Sequence, residues 1–96
     1  MKLEPSDLRE MQIAIADRLY IQIEKWHLYL GDAGLAEGLA IECNANLEQG
    51  ASIAARKAVE SIQVQLAGGS TRLPLARLMP SSQLFDLEEI LEPYCG

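Results

Sequence analysis

At 96 residues the chain has the length of one domain, and with 49% apolar but only 5% aromatic residues its core must be small and aliphatic. Eight basic residues are scattered among fourteen acidic ones, a formal net charge of −6. That balance argues against binding to nucleic acid and against a polybasic anchor for anionic lipid heads.

The first expected element is a long helix over residues 7–30. Pro5 discourages helix before it, Ser6 is a suitable N-cap, and Asp7 and Glu10 suit the positive end of the helix dipole. Leu8, Met11, Ile15, Leu19, Ile23, Trp26 and Leu30 recur at spacings of three or four, one continuous apolar stripe that Gly31 would end. Such a rod would run about 36 Å at 1.5 Å per residue. Leu19, Ile21 and Ile23 also alternate as a strand would, but the length of the stripe favours helix.

A short turn with Asp32 as a cap leads to a second helix over about residues 33–48, with Leu35, Leu39, Cys43 and Leu47 four apart and Ala36 and Ala40 beside them. So short a link suits an αα-hairpin. Ser52 should cap a third helix whose inner face is Ala55, Ala58, Val59 and Ile62. Residues 62–75 read equally as a β-hairpin around Gly68–Gly69, with Pro74 at an edge, or as an extension of the third helix. Leu84, Leu87, Ile90 and Leu91 form a last amphipathic helix stopped by Pro93. The expected fold is therefore mainly α: a single domain over residues 1–96, a small antiparallel bundle of three to four helices with 62–75 as the open question.

Charge is segregated. Residues 32–48 and 78–96 carry acids with no Lys or Arg, while Arg56, Lys57, Arg72 and Arg77 lie between them with Glu60. The simplest reading is that the basic segment softens repulsion between two acidic helices.

Chemistry-bearing patterns are sparse. Glu24 and His27 form Glu-x-x-His, which a helix would place on one face, as di-iron bundles do. Those sites need a second such motif, which only a symmetric dimer could supply. None of the serines lies in a nucleophile-elbow sequence. Cys43 falls on an apolar stripe and Cys95 near the end of the chain, and the two make neither a metal pattern nor a Cys-x-x-Cys pair. Gly68-Gly69-Ser70-Thr71 lacks the lysine of a phosphate loop. No catalytic, cofactor or metal residues are assigned. The expected site is a partner-binding surface, because Tyr20, Trp26, His27 and Tyr29 cluster on a helix with more apolar residues than one stripe uses. The alternative occupant of those rings is the C-terminal helix.

The run Asp17-Arg18-Leu19-Tyr20-Ile21 and the more specific Lys25-Trp26-His27-Leu28-Tyr29-Leu30-Gly31-Asp32-Ala33 resemble a small cyanobacterial family known as a domain of unknown function. Ser61-Ile62-Gln63-Val64, Leu73-Pro74-Leu75 and Asp86-Leu87-Glu88-Glu89-Ile90-Leu91 extend the resemblance over nearly the whole chain. It implies a cyanobacterial cytoplasm and a place at the thylakoid membrane surface, and it brings no activity or cofactor. Where that family has Asp-Ala-His-Leu, this chain has Asp32-Ala33-Gly34-Leu35, which removes a histidine from the turn.

Together these readings predict a small, non-enzymatic, cytoplasmic interaction protein. Its partner is another protein or a second copy, bound through the long first helix. Contact with a membrane is at most peripheral, since no stretch approaches the ~20 apolar residues of a span and Met1–Pro5 lacks the apolar core of a signal peptide. The rival is a metal-binding or enzymatic helical protein built on Glu24 and His27 across a dimer.

Overall fold

The computed structural model describes residues 4–23, 25–66 and 71–95. Helix α1 spans Pro5–Arg18. It starts earlier than expected: Glu4 is the N-cap, Pro5 takes the first turn and no side chain caps it, so Ser6 has no capping role. Proline is tolerated there because its missing N–H would have had no partner. Asp7 in the first turn and Arg18 in the last complement the helix dipole.

The rod expected over residues 7–30 is not formed. At Leu19 the backbone turns extended (φ −102°, ψ 146°), and strands β1 (Tyr20–Ile23) and β2 (Trp26–Tyr29) pair antiparallel, Tyr20 opposite Tyr29 and Ile21 opposite Leu28. The cause is tertiary. Tyr20 N–H donates to Gln83 Oε1 at 3.0 Å and Gln22 N–H to the Leu78 carbonyl at 2.8 Å. Leu30 N–H donates to the Leu19 carbonyl at 3.0 Å and closes the base of the hairpin. Partners so distant in sequence lie outside any local window.

Helix α2 (Leu30–Ala33) is one turn, and Gly34, at φ 73°, is its left-handed cap; Gly31 lies inside it rather than ending a long helix. Helix α3 (Ala36–Asn46) follows Leu35 without a side-chain cap from Asp32 and runs into a 3-10 turn, Leu47–Gln49. Gly50, at φ 100°, precedes helix α4 (Ala51–Ser61), so Ser52 lies within the helix instead of capping it.

Residues 62–75 form the hairpin and not a helical extension: α4 ends at Ser61, and β3 (Gln63–Leu66) pairs antiparallel with β4 (Thr71–Pro74), Gln65 opposite Arg72. Pro74 ends its strand opposite Gln63. The expected turn at Gly68–Gly69 lies outside the described residues. A 3-10 turn (Leu75–Arg77) then leads to α5 (Ser81–Leu91) and a last turn, Glu92–Tyr94, that contains Pro93.

The architecture is mainly α, with five helices among the described residues and two small two-stranded antiparallel sheets. The extra helix is α2, which forms from the last residue of the expected rod and the turn expected at Gly31–Gly34. Helix α3 packs on α1 and α4, and α4 on α5. Met11, Ile15, Leu39, Leu87 and Leu91 fill the core, with Ala40, Ala54, Ala55 and Ala58 allowing close helix approach. The buried hydrophobic set contains no aromatic ring, as the composition required.

Candidate apolar face and groove

In a strand, successive side chains point to opposite faces. The first hairpin therefore divides the four expected partner-binding residues. Tyr20, His27 and Tyr29 share one face: the Tyr20 ring stacks on His27 at a centroid distance of 4.5 Å and meets Tyr29 edge-on at 5.9 Å. Trp26 lies on the other face with Leu28 and Ile21. That face grades from buried to open: Ile21 is 1% exposed, Leu28 39% and Trp26 75%. Tyr29, on the far side, is 47% exposed. Helix α5 holds the Tyr20 backbone through Gln83 but leaves both Trp26 and Tyr29 open, so it is not the cover that the sequence allowed for.

The buried end of the Trp26 face opens into a groove of about 500 Å³ between the two hairpins. One wall is Ile21, Leu28, Ala33 and Leu35. The other is Gln63, Val64 and Gln65 of β3 with Arg72 of β4, the only charged residue of the lining among the described residues. Successive residues point to opposite faces, so a lining that takes in Gln63, Val64 and Gln65 fits a groove that includes the edge of β3, with Arg72 reaching it from the face it shares with Gln63 and Gln65. With its amide oriented to suit the hydrogen-bond network, Gln65 accepts from Arg72 Nε at 3.3 Å and Nη2 at 3.0 Å. The hairpin that makes this second wall was one of two readings of residues 62–75, but nothing in the sequence pointed to its facing the first hairpin.

Over residues 8–94 the sequence matches the family described as protein of unknown function DUF3181. The chain belongs to DUF3181. No curated protein and no solved structure matches it. The match runs from within α1 to beyond α5, so both hairpins and the groove lie within the DUF3181 region.

His27 is exposed on β2, where the helical spacing that would pair it with Glu24 does not exist, and Glu24 lies outside the described residues. Among the described residues no group of three or more His, Cys, Asp or Glu could hold a metal ion. Burial, with the nearby Glu42 carboxylate, pushes the Cys43 thiol up to about 12, far from a reactive thiolate. The Cys95 thiol is also raised, by burial and then Glu92, and its Sγ lies 3.9 Å from the Leu47 carbonyl.

Proposed function

We propose that this DUF3181 protein is a small non-enzymatic interaction protein that binds a protein partner, or a second copy of itself, through the Trp26 face of its first hairpin. One observation carries the reading. The only tryptophan of the chain is 75% exposed at the end of an apolar face that leads, through Leu28 and Ile21, into a groove. Large exposed apolar patches mark interaction sites, and tryptophan is the residue most enriched among interface anchors. The contact moves from the expected helix to a hairpin. Trp26 is its centre, and Tyr29, His27 and Tyr20 form a second aromatic face behind it.

We place the protein in the cyanobacterial cytoplasm, meeting the thylakoid surface only through its partner. No described helix is long and apolar enough to cross a membrane, and a net charge of −6 opposes direct contact with anionic lipid. The metal-binding or enzymatic rival rests on a Glu24–His27 spacing that β2 does not provide.

The test is affinity purification from native cells with Trp26→Ala beside the natural chain. Because so much of the indole is exposed, the variant should stay folded, with stability changed by less than about 1 kcal/mol. A protein partner, or a second copy, should be lost with the indole. An unchanged set of co-purifying proteins would overturn the reading. Protein-free liposomes should leave the chain behind on flotation, and co-flotation would overturn the indirect membrane contact.

A further inference from the structure

The edge of β3 that faces the groove is the feature left without a use. In a two-stranded sheet β3 has one edge paired with β4 and the other unpaired, and Gln63, Val64 and Gln65 of β3 line the groove. Among the described residues no backbone hydrogen bond reaches that outer edge. Peptide groups arranged in this way are best satisfied by another extended chain, which also places alternate side chains on the facing wall. Here the facing wall is apolar, built by Ile21, Leu28 and Leu35.

Charge selects among extended chains. Among the described residues Arg72 is the one charged residue of the lining, and the ion pair present, Arg18 with Glu89, leaves it without a carboxylate. A guanidinium beside apolar walls is answered best by an acidic side chain of the ligand, a local pairing that the overall charge of the chain does not supply. A second copy answers it poorly, because the four described strands, Tyr-Ile-Gln-Ile, Trp-His-Leu-Tyr, Gln-Val-Gln-Leu and Thr-Arg-Leu-Pro, carry no carboxylate. We propose that the groove binds an extended acidic segment of a protein partner, added as a strand to the outer edge of β3. Its apolar side chains rest on Ile21, Leu28 and Leu35, and an acidic side chain pairs with Arg72. This deepens, and rests on, the reading of the Trp26 face as an interaction surface.

The probe is a labelled heptapeptide alternating valine with glutamate, titrated by fluorescence anisotropy beside the same peptide with lysine for glutamate and a glutamate version N-methylated at alternate backbone nitrogens. The glutamate peptide should bind about tenfold or more tighter than the lysine one, and N-methylation should remove binding. Arg72→Gln should erase the preference and Arg72→Glu should reverse it, with circular dichroism confirming that each variant is folded. No binding of the glutamate peptide, equal affinity for both charges, or undiminished binding of the N-methylated peptide would overturn the inference.

The natural complex separates this inference from the reading beneath it. A partner lost by Trp26→Ala but kept by Arg72→Glu, and not displaced by the glutamate peptide, sinks strand addition and leaves the interaction surface standing. Self-association lost by Trp26→Ala and kept by Arg72→Glu seats a second copy there and also overturns the inference. A partner set that neither variant changes removes both.

Discussion

A Cβ added at Gly31 would lie 2.9 Å from Ala16 Cβ and 3.2 Å from the Ala16 carbonyl oxygen, so α2 reaches α1 only because no side chain intervenes. Replacing a helical glycine by alanine ordinarily gains up to ~1 kcal/mol. Here the overlap should outweigh that gain and cost ~1–3 kcal/mol. Gly31→Ala should therefore lower the urea midpoint, and Ala16→Gly in the same chain should recover part of the loss. An increase in stability would disprove the close approach.

Cys43 supplies a pH dependence. Its thiol rises from an ordinary 9.0 to about 12 in the fold, so between those values the unfolded chain has released a proton that the folded chain keeps. Its contribution to stability is complete below pH 9.0 and is lost as pH rises through about 12. Tyr94, raised first by burial and then by Glu10, acts in the same direction. Cys43→Ala should flatten the alkaline fall in stability, read as the slope of urea midpoint against pH. With a thiol reagent near neutral pH, Cys95, which is partly exposed, should react in the native protein and Cys43 only on unfolding.

At the scale of elements, an isolated two-stranded hairpin is marginal in water, so the first one depends on what holds it. Gln83 is 5% exposed; its Oε1 accepts from Tyr20 N–H at 3.0 Å and its Nε2 donates to Asp86 Oδ2 at 3.0 Å. Gln83→Ala strands the Tyr20 N–H and should cost ~1–3 kcal/mol, with amide exchange at Tyr20 accelerated more than in α3 or α4. Uniform acceleration would mean that Gln83 supports the whole fold and not the hairpin.

The same hairpin explains why the expected rod was persuasive. Ile15, Leu19 and Ile23 are four apart, as are Trp26 and Leu30, and residues four apart share a face in a helix and in a strand alike. The spacing of three from Ile23 to Trp26 fits a helix, but it also fits two residues directly opposed across a hairpin, which they are. Those spacings could not decide between the two. The alternation of Leu19, Ile21 and Ile23 was the correct signal, and the distant hydrogen bonds to Leu78 and Gln83 realise it.

For the molecule as a whole, the helices meet through alanines. Ala54, Ala55 and Ala58 of α4 are fully buried beside Leu39, Ala40 and Cys43 of α3. Ala55→Leu has no room to occupy and should cost ~1–3 kcal/mol. For a domain of this size that lowers the melting temperature by ~4–8 °C per kcal/mol, read by thermal unfolding. An unchanged melting temperature would mean that this helix contact can open without cost.

The sequence alone determined the aliphatic core and the helices around α3, α4 and α5. These follow from local periodicity and composition, which act over one or two turns. It also narrowed residues 62–75 to two readings. The tertiary structure decided that the long first stripe breaks at Leu19, that Trp26 parts from Tyr20, His27 and Tyr29, and that β3 faces the first hairpin across a groove with Arg72. Each of these depends on hydrogen bonds and packing between segments far apart in the chain, and a period read along one segment carries no information about them.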